Sequence, residues 1–170
     1  MSECSHGKQK PLILASSSPR RRELLNQIGL RFEVIPSNVE EVKEDGEYPI
    51  SHVLRLAEEK ALDISRKVEN SWIIGADTIV LVDGEILGKP SEEQEAYQML
   101  MKLSDREHKV LTGFCIIDSE TGESTKKHVE TTVMIKKLTH EEITEYIKTR
   151  EPFDKAGSYA IQGRGSFMVR

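Results

Sequence analysis

The stretch WIIGADTIVLV, residues 72–82, is an almost continuous apolar run, and it constrains the fold more than any other part of the chain. A run of this composition predicts a strand buried in the interior of the protein. Asp83 and Gly84 follow it directly, and an Asp-Gly pair predicts a tight turn into a second short strand. The run contains one charged residue, Asp77. The sequence therefore predicts a buried strand with a carboxylate in its middle.

Strand and helix patterns interleave along the rest of the chain. Apolar residues that run together or alternate predict further strands at 13–15, 32–34, 108–118 and 129–135. Apolar stripes of helical period, preceded by Ser, Thr or Pro, predict helices that begin at Pro19, at Ser51 (to 68), at Ser91 (with a capping box to Gln94) and at Thr139 (boxed by Glu142, to about Thr149). Near the end, YAI and SFMV are also strand-like. This alternation predicts an α/β fold.

Composition limits the class of protein. With 170 residues, 37% hydrophobic and 31% charged, the chain is expected to form one domain over 11–170, with a loose polar tail at 1–10. The net charge of −5 argues against a general nucleic-acid-coating protein. Two cysteines, Cys4 and Cys115, are too few for a disulfide framework, and no apolar run reaches membrane-spanning length. We therefore expect a cytoplasmic protein with neither a membrane nor a nucleic-acid partner.

The start of the first helix carries an unusual concentration of positive charge. Ser16, Ser17 and Ser18 precede Pro19, and three arginines follow in the first turn. A helix N-terminus is already positive, so cations there are unfavourable by about 0.3–1 kcal/mol each unless an anion binds. Free backbone N–H groups and guanidinium donors together suit a phosphate. The alternative is a solvated basic turn, which is common for arginines at a surface.

Two buried-looking charges are equally hard to explain as structure. Asp77 could hold a metal ion or orient a water, or it could be a structural carboxylate that caps a loop. Its small neighbours Gly75 and Ala76 would leave room for a ligand beside the strand. Lys60 falls on the apolar stripe of the helix at 51–68. It either extends along that surface toward solvent or points inward at a phosphate.

Other candidates are weaker on their own. Glu41, in an acidic pair with Glu40, is an ordinary surface residue unless it joins Asp77 as a hard oxygen ligand for Mg²⁺ or Mn²⁺. Lys89 is unremarkable by itself, His108 forms no recognisable triad, and Gln162 could read a base edge with its amide. Together, the arginines, lysines and carboxylates predict a polyphosphate site that uses a divalent metal.

The segments LILASSSPRRRELL, EEKA, GADTIVLVDGEILGKP and DKAGSYAIQG resemble the Maf family of nucleoside triphosphate pyrophosphatases, in order and from about Pro11 to the end. The resemblance implies a mixed twisted sheet with flanking helices, similar to the inosine triphosphatases. It also implies hydrolysis of a nucleoside triphosphate between the α and β phosphates with a divalent cation. The family continues for about one more strand and helix, so the chain is expected to be short at its C-terminus.

The resemblance also implies roles for individual residues. Asp77 is the expected base or water-positioning group and Glu41 its acidic partner, both as metal ligands. The resemblance assigns phosphate binding to two lysines and to residues at the helix start: Lys60, Lys89, Ser16, Arg20 and Arg21. Arg20, Thr78 and Gln162 resemble the branch that acts on dTTP and UTP. The alternatives are 7-methyl-GTP, ITP or XTP as substrate, or a nucleotide-binding regulator of cell division without turnover, and a homodimer is one assembly to expect.

Overall fold

The structure, a computed structural model, describes residues 10–170, so the predicted tail lies outside the described residues except for Lys10. The described chain divides into two compact units. The first comprises residues up to Asp45, Leu54–Asp77 and Gly113–Lys127, and the second comprises Gly46–Val53, Thr78–Thr112 and His128–Arg170. The single domain over 11–170 stays a prediction. No helix of the described chain is long and apolar enough to cross a bilayer.

Strands and helices alternate as predicted. The strands are β1 (Leu12–Leu14), β2 (Glu33–Val34), β3 (Trp72–Val82), β4 (Glu85–Leu87), β5 (Glu107–Asp118) and β6 (Ser124–Met134). The α-helices are α1 (Pro19–Gln27), α2 (Pro49–Ser65), α3 (Glu93–Leu103) and α4 (His140–Lys148). Three 3₁₀ segments follow α4, at Glu151–Asp154, Ala156–Ser158 and Arg164–Met168.

The strands form one mixed sheet in the order β2-β1-β3-β5-β6, with β4 paired to β3. Strand β1 runs parallel to both β2 and β3, with Ile13 opposite Ile73, whereas β4 runs antiparallel to β3. The turn between β3 and β4 has positive φ at both Asp83 (51°) and Gly84 (78°), as an Asp-Gly hairpin requires. The predicted α/β class with a mixed sheet and helices is confirmed.

In the first unit, helix α2 packs directly on strand β3. Ala57, Ala61 and Ile64 of the helix are fully buried in one cluster with Ile73. A Cβ on Gly75 would lie 2.2 Å from the carbonyl oxygen of Ala57 and 2.7 Å from the nitrogen of Ala61. The expectation that small residues here leave room for a ligand is wrong at Gly75, because the backbone of α2 occupies that space.

In the second unit, α3 and α4 bury their apolar faces in one core cluster with the end of β3, including Val80, Leu100 and Ile143. The predicted capping box of α4 is present. The Thr139 hydroxyl accepts from the Glu142 N–H at 3.2 Å, and the Glu142 carboxylate accepts from the Thr139 N–H at 2.9 Å. Helix α1 of the first unit also begins as predicted, with Ser18 as N-cap and Pro19 in the first turn, although the Ser18 side chain makes no capping bond.

Three other sequence predictions are wrong in detail. Helix α2 begins at Pro49, two residues before Ser51, because proline is well suited to the first turn, and it ends at Ser65 and not at 68. No capping box forms at Ser91, whose N–H and hydroxyl both donate to the Glu95 carboxylate, so that Glu92 is the N-cap of α3. The strand-like YAI and SFMV do not form strands.

The backbone of the final segment explains why YAI and SFMV differ from their pattern. Gly157, Ser158 and Gly163 adopt positive φ of 67°, 65° and 83°, which breaks an extended chain. SFM lies in the last 3₁₀ segment, and Val169 makes only an isolated bridge to Ile135. Interruptions by left-handed residues therefore override the local preference for strand.

Candidate active site

Lys60 lies at the centre of the candidate site in the first unit. It occupies the apolar face of α2 between Ala57 and Ile64, and only 4% of its surface is exposed. Its Nζ donates to Glu41 Oε1 and to Asp77 Oδ1, each at 2.7 Å. Lys60 therefore points inward and not toward solvent, but its partners here are carboxylates, and its contact with a phosphate stays a prediction. A buried ammonium is costly without partners, and these two carboxylates supply them.

The two carboxylates differ in their access to solvent. Asp77 is buried, with 5% of its surface exposed, whereas the Glu41 side chain is 41% exposed on the loop that precedes α2. Strand β3 positions Asp77, whose carboxylate accepts from Lys60. This contact takes the place of a loop cap, which was the structural alternative for this residue. The cluster thus joins a buried acid to one that solvent reaches, through a single ammonium.

The loop between β1 and α1 adds two further groups to this cluster. Arg21 Nη1 donates to the Ser16 Oγ at 3.0 Å, and Ser16 is itself buried. Burial lowers the pKa of Arg21 and Arg20 lowers it further, while the negative charges of Asp77 and Glu41 act in the opposite direction. Arg21 therefore lies within electrostatic reach of both carboxylates, as well as of Arg20.

The charges of the cluster favour an anion. Lys60, Arg20 and Arg21 outnumber the two carboxylates by one, and the first turn of α1 contains no acidic residue to neutralise it. The N-terminus of a helix adds partial positive charge at the same place. A polyphosphate is the ligand that this combination suits.

Glu41 and Asp77 fit a hard divalent cation by the chemistry of their donors. Each side chain gives one carboxylate oxygen to Lys60 Nζ, and an ionised carboxylate has a second oxygen with which to bind a cation. Mg²⁺ is commonly bound by one or two carboxylates together with substrate phosphates and water. No cluster of three or more His, Cys, Asp or Glu side chains suited to a metal occurs in residues 10–170, so phosphates and water would complete the coordination.

The other predicted site residues lie in the second unit. Thr78 directly follows Asp77, is partly buried, and its hydroxyl lies 3.1 Å from that of Thr112. Lys89 is exposed after β4, and Gln162 is partly buried in a bend before Gly163. The structure thus brings together Ser16, Arg20, Arg21, Glu41, Lys60 and Asp77 in one unit, and the roles of all nine residues stay predictions.

Sequence reasoning missed two polar contacts near Gln162. His108 is buried and its Nε2 lies 2.5 Å from the Tyr159 hydroxyl, and Glu151 binds backbone N–H groups just after Gln162. Burial lowers the pKa of His108 to about 4. No short-range spacing signals either contact, because the partners are 51 and 13–14 residues apart in the chain.

Comparisons with known proteins agree with the motifs. The sequence profile of the family described as Maf-like protein matches residues 11–170. A dTTP/UTP pyrophosphatase of Caldicellulosiruptor bescii is 51% identical over 94% of this chain and 82% of its own length. A protein of the same name from Citrifermentans bemidjiense is 49% identical over 96% of this chain and 84% of its own. The solved structure of a HAM1 protein from Coxiella burnetii aligns with a TM-score of 0.47 at 14% identity, over 75% of this chain and 73% of that one.

Proposed function

The chain belongs to the Maf family, and from that premise we propose that it is a nucleoside triphosphate pyrophosphatase that hydrolyses dTTP and UTP to the monophosphate and pyrophosphate. The observation that carries the proposal is the buried Lys60, held between Asp77 and Glu41 beside the arginines of α1. The names of the relatives from C. bescii and C. bemidjiense support the choice of substrate.

In the proposed mechanism, the helix start binds the triphosphate. Arg20, Arg21 and the Ser16 loop take the phosphate oxygens, with Lys89 as a further phosphate ligand. Their positive charge is then neutralised by substrate, which explains why arginines occupy a position where cations alone are unfavourable. Stabilising charge that develops on the leaving group is a large part of catalysis in sites of this kind.

The carboxylates carry out the proton transfer. Water attacks the α-phosphorus, the bond from that phosphorus to the oxygen bridging it to the β-phosphate breaks, and pyrophosphate leaves with the bonding electrons. Asp77 or Glu41 takes the proton of the attacking water, and Lys60 fixes the position of both carboxylates. A divalent cation, Mg²⁺ or Mn²⁺, held by Glu41 and Asp77 would supply additional charge neutralisation on the phosphates.

Thr78 and Gln162 are proposed to bind the nucleoside part of the substrate. The Gln162 amide carries both a donor and an acceptor, which suits the edge of uracil or thymine. The alternatives 7-methyl-GTP, ITP and XTP carry purine bases, which present the same order of acceptor and N–H donor but are larger by a second ring, and they are tested below. The cytoplasmic location, a homodimer and the absence of a nucleic-acid partner stay predictions.

A substrate panel tests the proposal. The protein is incubated with dTTP, UTP, CTP, GTP, 7-methyl-GTP, ITP and XTP, with Mg²⁺, with Mn²⁺ or with EDTA, and products are separated by chromatography. We expect monophosphate and pyrophosphate from dTTP and UTP, loss of turnover in EDTA, and a decrease of at least 100-fold in kcat for Asp77→Asn.

Asp83→Asn is the matched control for that panel. Asp83 lies in the turn after β3, its carboxylate pairs with Arg106 at the surface, and asparagine tolerates its positive φ. We expect this variant to keep wild-type turnover. Release of orthophosphate instead of pyrophosphate, or equal loss in both variants, would contradict the proposed reaction. Nucleotide binding without turnover would favour the regulator.

A further inference from the structure

The segment that carries Gln162 is anchored on both sides. Residues 161–163 form a bend, with Ile161 exposed and Gln162 partly buried. On the N-terminal side, Tyr159 is buried and its hydroxyl lies 2.5 Å from His108 Nε2 on β5. On the C-terminal side, backbone N–H groups donate to the side chain of Glu151. A bend this short, fixed at both ends, has little freedom to move the residue between them.

Glu151 makes the C-terminal anchor with both of its oxygens. Oε2 accepts from the Arg164 N–H at 3.0 Å, and Oε1 accepts from the Gly165 N–H at 3.1 Å and from the Tyr146 hydroxyl at 3.1 Å. Burial works against ionisation, but the two N–H groups and the hydroxyl hold the pKa of Glu151 below its usual value. The side chain is therefore an ionised acceptor that binds consecutive backbone donors.

Gly163 fits tightly over this carboxylate. Its φ is +83°, and a Cβ there would lie 3.0 Å from each Glu151 oxygen. The residue that follows Gln162 thus adopts a conformation that glycine tolerates, with its backbone against the acceptor. The conformation of the bend and the position of the carboxylate depend on each other.

The side chain of Gln162 takes no part in these anchors. It makes no hydrogen bond to any group in residues 10–170, so its amide is available to a ligand, whereas the Glu151 carboxylate accepts from two backbone N–H groups and the Tyr146 hydroxyl. The chemistry of the base explains why the position matters. Uracil and thymine present an acceptor beside an N–H donor, and cytosine presents the reverse order. An amide held in one place can discriminate between uracil or thymine and cytosine better than an amide that moves.

We propose that Glu151 is a positioning residue for base recognition: its carboxylate fixes the backbone from Gly163 to Gly165 and so holds the Gln162 amide for a uracil or thymine base. This inference rests on the proposed function, in which Gln162 contacts the base. It adds a residue that touches neither the phosphates nor the base. Its expected signature is a loss of discrimination between bases, with little change in the chemical step.

The test compares Glu151→Gln with Glu145→Gln. The first variant keeps the shape of the side chain but replaces one carboxylate oxygen by an amide N–H₂, which cannot accept from a backbone N–H. One of the two hydrogen bonds from the backbone to residue 151 is therefore lost. The second changes an exposed glutamate on α4 that pairs with Lys148 at 2.7 Å, and it serves as the control. kcat and KM are measured for dTTP and dCTP with each variant.

For Glu151→Gln we expect a roughly 10-fold increase in KM for dTTP, kcat within about threefold of wild type, and a 10-fold decrease in the dTTP-to-dCTP ratio of kcat/KM. Such a ratio does not depend on how much of a preparation is folded. Glu151→Asp, which keeps the carboxylate on a shorter side chain, should restore part of it, and Glu145→Gln should match wild type.

A double-mutant cycle with Gln162→Ala separates positioning from a general structural effect. If Glu151 acts through Gln162, adding Glu151→Gln to Gln162→Ala changes the base ratio no further. Additive effects on the ratio, or a fall in kcat at constant ratio, would overturn the inference. If the wild type shows no turnover, the proposed function fails, and the dissociation constants for dTTP and dCTP by calorimetry then decide the inference. Equal wild-type affinities for the two nucleotides would overturn it.

Discussion

Gly75→Ala tests how closely α2 must approach β3. The added methyl group would lie 2.2 Å from the Ala57 carbonyl oxygen, 2.7 Å from the Ala61 nitrogen and 2.9 Å from the Ala61 Cβ. Two of these three atoms belong to the helix backbone and cannot rotate away. Since unstrained contacts between heavy atoms lie near 3.5 Å, the helix has to move by about 1 Å or more.

The magnitude of the effect follows from that overlap. Overpacking a well-packed core costs about 1–3 kcal/mol, and a clash with backbone belongs at the upper end of this range. Replacing glycine recovers about 0.4–1 kcal/mol by restricting the unfolded chain. We therefore expect a net loss of about 2 kcal/mol in the free energy of unfolding. For a chain of this length that corresponds to a decrease of about 4–8 °C in Tm.

The same displacement should reach the candidate site. Lys60 precedes Ala61 on α2, and Asp77 follows Gly75 by two residues on β3, so moving the helix outward lengthens the 2.7 Å bond between them. We expect kcat for dTTP to fall about 10-fold at a temperature where the variant remains folded.

Urea unfolding and calorimetry of Gly75→Ala measure the effect against Gly88→Ala. An added Cβ at Gly88 meets no atom within 4 Å, and the residue does not have a positive φ. This control should stay within about 0.5 kcal/mol of wild type. A Tm of Gly75→Ala within 1 °C of wild type would refute the packing reasoning.

Three further predictions concern caps, pH and thiol reactivity. Thr139→Ala removes a capping bond and should cost about 1 kcal/mol by urea unfolding, whereas Ser18→Ala, which loses no such bond, should cost less than half as much; equal costs would contradict this. His108 has a pKa near 6.5 when unfolded and about 4 when folded, so the unfolded state binds more protons between these values and stability falls as pH decreases from 6.5 to 4. The decrease in Tm from pH 7 to pH 5 should be smaller for His108→Gln than for wild type, and an equal decrease would contradict the assignment. Burial raises the pKa of the Cys115 thiol to about 11, so in a Cys4→Ser background iodoacetamide should label the protein in urea but not when folded, as mass spectrometry would show.

Local signals in the sequence predicted the elements whose stabilising contacts are also local. The capping box at Thr139 and the start of α1 at Pro19 involve residues within three or four positions, so their geometry follows from short-range chemistry. The same kind of signal was wrong at Ser91, because the Glu95 carboxylate accepts from the Ser91 N–H, which Gln94 would have bound in the box, and from the Ser91 hydroxyl.

The candidate site could be predicted only as a set of residues. The spacing of α2 places Lys60 on the buried face, but that pattern allows either a lysine that reaches solvent or one that points inward. The contact partners Glu41 and Asp77 are 19 and 17 residues away in the chain, and only packing of the loop and the strand against α2 selects them. Gly75 was interpreted wrongly for a related reason. A small residue in a strand is compatible both with a ligand cavity beside it and with a closely packed helix, and the sequence does not distinguish the two.

The sequence by itself determined the apolar run of β3, the hairpin turn at Asp83, the phosphate-type chemistry at the start of α1 and the family. Each of these depends on composition or on neighbours in the chain. Only the tertiary structure decided that Lys60 bridges two carboxylates, and that Glu151 holds the backbone after Gln162. Periodicity specifies which face of an element is buried, but the group that meets this face depends on contacts between distant segments.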